Sequence, residues 1–371
     1  MRFKWAAAIG LSVAGGLALG AAWLYPQLEM PSPTGPQAVG RTALSWVDDG
    51  RPEVMTADPS DRRETPVVVW YPAAADTGEP VGYFPNLAAV AQELSASGEV
   101  GAVEVWGLRY VRSEERWGAA AAAGRFPVVL LSPGNGTNVE FYAGLAGELA
   151  SRGYVVVGLN HPYDVAAVAL EDGRVAQFAS EHWPMDFAVR QAATAARITE
   201  RVAVVRFVLD QLEALVTAGE HPLARRLDLE RVGILGHSLG GITAAQACAS
   251  DARLRACLNL DGVQAGGPFG AQPQPELPLQ PFMFITKEAG LDPRGQALWE
   301  QLAGEAYLRV VAGAAHDNFT DGPALAPALW PGPGAAERVL AEVRGYAAAF
   351  MDYSLRGETS ALLAESRYPS N

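Results

Sequence analysis

The hexapeptide Gly236-His237-Ser238-Leu239-Gly240-Gly241 constrains this chain more than any other stretch, because it sits directly after a short apolar run and directly before an apolar helical segment. A strand that turns sharply into a helix lifts the side chain at the turn above the sheet, and small residues on either side let strand and helix approach closely. The Ser238 hydroxyl is thereby presented at a helix N-terminus, where backbone N–H groups favour developing negative charge. A bare G-x-S-x-G arises by chance in any glycine-rich chain, and a serine there can simply cap a helix. The strand-turn-helix setting makes Ser238 a candidate nucleophile.

A serine hydroxyl attacks poorly unless a base takes its proton and a carboxylate orients that base. After such a turn the expected chain order is serine, acid, histidine. His161, His182, His221 and His237 all precede Ser238; His316 alone follows, in the loop Gly313-Ala314-Ala315-His316-Asp317-Asn318-Phe319. Asp261 directly follows the apolar run Ala256 to Leu260, at the strand edge where open α/β sheets collect their active sites. Glu288 and Asp292, after the next strand, are the fallback acids. The oxyanion needs two N–H donors. Leu239 supplies one, and Asn135 in the glycine-rich loop Ser132-Pro133-Gly134-Asn135-Gly136 is nominated for the other. Phe141, Trp183 and Phe319 are candidates to line an acyl pocket.

Around these residues, short continuous apolar runs alternate with helical segments, the pattern of a parallel sheet covered on both faces. The strands expected are Val67–Tyr71, Phe126–Leu131, Tyr154–Leu159, Val232–Leu235, Ala256–Leu260, Phe282–Thr286 and Tyr307–Ala312. A long amphipathic helix is expected over Pro184 to Ala218, with Phe187, Val202, Val205, Val208, Leu209 and Leu212 among the candidates for its buried face, and a closing helix over Ala335 to Tyr353. The fold class is therefore α/β, doubly wound and mostly parallel. Residues 64–356 form the catalytic domain, with Ala73 to Gly124 as surface or lid structure containing a helix near Leu87 to Ser95. The proline- and glycine-rich residues 29–63 are expected to be a linker, and 357–371 a tail.

Arg2 and Lys4 precede an apolar, uncharged run from Trp5 to Tyr25. Residues 1–28 are therefore expected to be either a cleaved export signal or a retained membrane anchor, with the remainder exported. With 49% hydrophobic residues the 371-residue chain can bury a sizeable core, and its net charge of −13 argues against nucleic acid as a partner. The only cysteines, Cys248 and Cys257, are too few for a thiolate zinc site. Both are expected in the core; the helical setting of one and the strand setting of the other read against a bridge between them. No metal or phosphate-binding motif is present, so no cofactor is implied. Sequons at Asn135 and Asn318 fall in the two loops assigned to the cleft, where a glycan would block it.

Beyond the elbow, further segments carry a family resemblance. They are Leu131-Ser132-Pro133-Gly134-Asn135-Gly136, Ser151-Arg152-Gly153-Tyr154-Val155-Val156, Asn160-His161-Pro162-Tyr163-Asp164, Leu260-Asp261-Gly262, Gln280-Pro281-Phe282-Met283-Phe284-Ile285 and His316-Asp317-Asn318-Phe319. With these, the chain from Pro66 to Tyr353 resembles bacterial relatives of the secreted, calcium-independent platelet-activating-factor acetylhydrolases, a lipase-like family of α/β-hydrolases. The resemblance implies attack of Ser238 on a short or oxidised acyl ester, the sn-2 ester of a phospholipid among the candidates, with His316 as base and Asp261 as its orienter. It departs from many relatives at Pro133, where they carry histidine, and at Gly262. Polyester hydrolysis and acyl transfer to an alcohol use the same triad and stay open. So does a catalytically silent binding module.

Overall fold

The order of apolar residues along the central strands explains the layering. In a strand, successive side chains face opposite ways, so a run that is apolar throughout must be covered on both sides. In the computed structural model, which describes residues 29–180, 187–262, 278–325 and 335–366, the strand Phe126–Ser132 behaves this way. Its Val129 and Leu131 enter one core, and its Val128 and Leu130 enter the other.

The strands are β1 (Ala38–Pro52), β2 (Arg62–Ala73), β3 (Glu79–Pro80), β4 (Arg116–Trp117), β5 (Phe126–Ser132), β6 (Val155–Leu159), β7 (Ala167–Ala169), β8 (Val175–Gln177), β9 (Leu227–His237), β10 (Leu254–Leu260), β11 (Phe282–Thr286) and β12 (Ala306–Val310). Among the described residues, ten of them form one sheet in the order β12-β11-β10-β9-β5-β6-β2-β1-β4-β3, while β7 and β8 form a small hairpin. From β6 to β12 every neighbouring pair is parallel; β2 joins β6, and β1 joins β2, antiparallel.

The helices are α1 (Leu87–Ala96), α2 (Ala102–Gly107), α3 (Ala143–Ser151), α4 (Phe187–Ala218), α5 (Leu239–Ser250), α6 (Pro293–Gln301), α7 (Gly322–Leu325), α8 (Ala335–Met351) and α9 (Ala361–Ser366). Buried residues of α3 and α8 belong to one core, and those of α4 and α5 to the other. On α4, Val202, Val205, Val208, Leu209 and Leu212 are buried as the periodicity predicts. The fold class is thus the α/β sheet read from the sequence.

Three expectations change. Residues 29–63 are not a free linker, since β1 pairs along most of β2. Its apolar pattern is broken by Arg41, which is fully buried and donates through Nη1 to Glu115 (3.0 Å) and the Tyr83 carbonyl (2.9 Å), partners far away in sequence. The tail contains α9, whose Leu363 packs into the core against α8. Cys248 on α5 and Cys257 on β10 are joined by a disulfide, because both point into the layer between helix and sheet. Among the described residues no helix is long and apolar enough to cross a membrane, and the run from Trp5 to Tyr25 lies outside them.

Candidate active site

The turn after β9 is tight enough to dictate its sequence. Ser238 adopts φ 54° and ψ −120°, a left-handed conformation that costs a residue with a side chain about 1–3 kcal/mol. Its carbonyl caps the first turn of α5 by accepting from Gly241 N (3.0 Å) and Ile242 N (3.2 Å), and its own amide donates to Leu260 of β10 (2.9 Å). A Cβ on Gly236 would strike the Gly240 backbone, and one on Gly240 would strike the Ser132 and Pro133 carbonyls. Glycine at these places lets β9, β5 and α5 come together beneath the serine.

Three strand ends then meet. The Ser238 hydroxyl lies 2.9 Å from His316 Nε2, and His316 Nδ1 lies 2.5 Å from Asp261 Oδ2. The arrangement fits a serine O–H donating to Nε2 while Nδ1–H donates to the carboxylate. Asp261 also accepts from Thr286 Oγ1 (2.8 Å), Lys287 N (3.2 Å) and Lys287 Nζ (3.2 Å). Burial opposes its charge, but the hydrogen bonds from His316, Thr286 and the Lys287 amide prevail and hold its pKa down at about 2. The fallback acids take other places. Asp292 caps α6 through Gly295 N (2.7 Å), and Glu288 is exposed, meeting the histidine loop through its amide on the Ala314 carbonyl (3.3 Å).

Opposite the histidine, the loop after β5 is held by its flanking peptides. Gly134 N–H donates to the Tyr142 hydroxyl (3.0 Å), and Gly136 N–H donates to the Asp164 carbonyl (2.8 Å). Between them the Asn135 amide has no partner among the described residues, and neither does the amide of Leu239. Two unspent N–H donors beside a serine are what an oxyanion requires. Behind the serine, His237 Nε2 contacts the His316 carbonyl (3.1 Å) and its Nδ1 contacts the Tyr142 hydroxyl (2.8 Å). A carbonyl can only accept, so Nε2 carries the proton and Nδ1 receives the tyrosine O–H. Burial, then the neighbouring His316, press the His237 pKa down to about 3, consistent with this neutral tautomer.

Ser238 and His316 stand on the wall of a cavity of about 900 Å³, whose apolar lining comes from Val100, Val103, Leu108, Val111, Phe141 and Leu325. Of the three aromatics expected to form an acyl pocket, Phe141 lines it and Trp183 lies outside the described residues. Phe319 does not line it: the ring is buried and stacks on His237 at 5.9 Å, beneath the catalytic-edge residues. Sequence reasoning missed Tyr142, Thr286 and Lys287. Thr286 ends β11 and Lys287 directly follows it, a strand end that pointed to Glu288 and Asp292 instead. It read α2 and its flanks only as part of a surface or lid stretch, and they form much of the cavity wall.

Residues 24–330 match the family model described as platelet-activating factor acetylhydrolase, isoform II. Among curated proteins, the platelet-activating factor acetylhydrolase of Cavia porcellus is 26% identical over 79% of this chain and 69% of its own length. A probable 1-alkyl-2-acetylglycerophosphocholine esterase of Arthroderma benhamiae is 29% identical over 66% of this chain and 65% of its own. The chain thus spans about two thirds of the length of these relatives. Among solved structures, a ferulic acid esterase from Streptomyces cinnamoneus superposes with a TM-score of 0.70 at 29% identity, over 92% of this chain and 96% of that one. The chain belongs to the platelet-activating factor acetylhydrolase isoform II family, and it is a serine hydrolase of carboxylic esters built on the α/β-hydrolase fold.

Proposed function

We propose that the chain cleaves short-acyl esters, including sn-2 esters of glycerophospholipids, through an acyl-enzyme on Ser238. The observation that carries this reading is the continuous line from Ser238 Oγ through His316 to Asp261 Oδ2 at hydrogen-bond distances, on the wall of a largely apolar cavity. As Oγ bonds to the acyl carbon, its proton moves to His316 Nε2 and the carbonyl oxygen takes negative charge facing the Asn135 and Leu239 amides. Collapse of this adduct expels the alcohol, which leaves with the proton from Nε2. Water then attacks the acyl carbon, losing a proton to the same nitrogen, and Ser238 is regenerated with release of the acid. Asp261 keeps the imidazole in the tautomer that makes Nε2 the acceptor.

The two curated relatives support an acetyl-sized sn-2 group by their names. The ferulic acid esterase neighbour supports a second reading, aromatic acyl esters, to which Phe141 in the cavity wall is suited. A panel of p-nitrophenyl esters, a 2-acetyl ether phospholipid and a feruloyl ester separates them by kcat/KM. Ser238→Ala is expected to lower turnover of the preferred ester by at least about 10⁴-fold with the fold intact. Retained turnover would sink the proposal. The protein is further proposed to work after export, since a basic, then apolar N-terminal stretch and the Cys248–Cys257 bridge both suit an oxidising compartment.

A further inference from the structure

The segment Asn160-His161-Pro162-Tyr163-Asp164 has no part in the chemistry proposed above, yet it ends in a buried ion cluster. Asp164 accepts from Arg197 Nη1 (2.6 Å) and Arg201 Nε (3.0 Å), two residues one turn apart on α4, and all three are at most 8% exposed. Placing one carboxylate and two guanidinium groups there is costly, and such clusters seldom repay that cost in stability alone. Each of the three also reaches the loop after β5. Arg201 Nη1 donates to the Pro133 carbonyl (2.7 Å), Arg197 Nη1 lies 3.4 Å from Asn135 Oδ1, and the Asp164 carbonyl accepts from Gly136 N (2.8 Å). Tyr163, just before Asp164, is held at φ 66°, a left-handed strain next to the cluster.

We infer that Asp164, Arg197 and Arg201 are positioning residues for the oxyanion hole. Arg201 holds the Pro133–Gly134 peptide and Asp164 the Asn135–Gly136 peptide, the two that flank the Gly134–Asn135 peptide, so that the Asn135 amide is the N–H of this loop left for substrate. Together with the Gly134 amide bound to Tyr142, these contacts restrain the turn that would point the Asn135 N–H away. The inference rests on the acyl-enzyme reading, and it concerns transition-state contact. It therefore belongs in kcat and not in KM.

The test compares an oxoester with its matching thionoester in wild type, Arg201→Lys and Asp164→Asn. A thiono sulfur is a weak hydrogen-bond acceptor and gains little from the hole. Arg201→Lys keeps the charge but loses the planar fork that holds Asp164 and the Pro133 carbonyl together. The expected result is a 10- to 100-fold fall in oxoester kcat with KM within twofold, a thionoester rate within about threefold of wild type, and so a collapse of the oxo-to-thiono ratio. Asp164→Asn, close in shape, is expected to move the ratio the same way. Should Arg201→Lys not fold by circular dichroism, Arg197→Lys replaces it with a smaller shift in the same ratio. Parallel loss on both substrates, or no change in the ratio, overturns the inference. Labelling of wild-type Ser238 by a fluorophosphonate separates the two levels. A labelled enzyme with an unmoved ratio overturns only the positioning role, whereas an unlabelled one overturns the acyl-enzyme reading and this inference with it.

Discussion

Around Asp261, two of the partners, Thr286 and Lys287, come from the C-terminal end of β11, and the sheet register explains why. Leu260 pairs with Ile285 across the parallel β10–β11 ladder, so Asp261 lies beside Thr286 and Lys287. The triad was legible in the sequence because a single histidine follows Ser238 and one aspartate ends the next strand. Thr286 and Lys287 were not, because only register places a neighbouring strand's residue on that carboxylate. The register has a thermodynamic consequence. The folded Asp261 pKa of about 2 lies below its ordinary 3.8, so ionisation of Asp261 favours the folded state. That stabilisation is fully present above about pH 4 and is lost as pH falls through about 2, amounting to about 2 kcal/mol. Asp261→Asn removes it. Urea unfolding at a series of pH values should show the wild-type advantage shrinking between pH 5 and pH 2, and a constant gap would contradict the assignment. The same variant is expected to lose about 10⁴-fold in ester turnover, since the imidazole loses the partner that fixes its tautomer.

At the scale of elements, each strand read from the sequence is found, while β2 and β9 run past the expected apolar runs at both ends. Phe282–Thr286 agrees at both ends, and β5 extends one residue beyond the apolar run. The reading failed on β1, where Arg41 and alternating exposed residues hide a strand that is specified by pairing with β2 and not by its own hydrophobicity. It failed again at the cysteines. Assigning Cys248 to a helix and Cys257 to a strand was right, but sequence alone does not tell which face of the helix meets which face of the strand. In the fold, the bridge ties the helix that begins at the nucleophile to the strand that ends at the acid. It closes a short loop, the cysteines being 9 residues apart, for which chain entropy gives about 2–3 kcal/mol. Replacing both cysteines by alanine should lower the unfolding free energy in urea by that amount. Stability equal to wild type would mean that the bridge restrains nothing the core does not already hold.

Across the whole molecule, one buried charge network joins the segment before β1 to α3 and α8. Arg344 on α8 donates to the Pro31 carbonyl (3.1 Å), the Ser32 carbonyl (2.9 Å) and Glu148 of α3 (2.6 Å). Glu148 also accepts from the Thr34 amide (2.8 Å) and from Arg152 Nε (2.6 Å), and Ser151 Oγ accepts from Gly35 N (3.0 Å). Burial opposes the Glu148 charge, but the Thr34, Arg152 and Arg344 bonds outweigh it and bring its pKa down to about 2. The segment before β1 is therefore strapped across α3 and α8, and whatever the first residues do, they enter the domain through a docked strap. Arg344→Met removes the central cation and leaves Glu148 buried with Arg152 as its remaining ion-pair partner, while two strap carbonyls lose their donors. Removing one partner of a buried pair costs about 3–5 kcal/mol, and the retained Arg152 contact places the expectation at the lower end. The loss should appear as a lower urea midpoint. Because the strap loses its hold before the sheet does, limited proteolysis should also cut ahead of Ala38 at denaturant concentrations where the wild-type segment is protected. Unchanged protection in a destabilised variant would show that the strap is held by packing alone, and an unchanged midpoint would show that the network adds nothing to the fold.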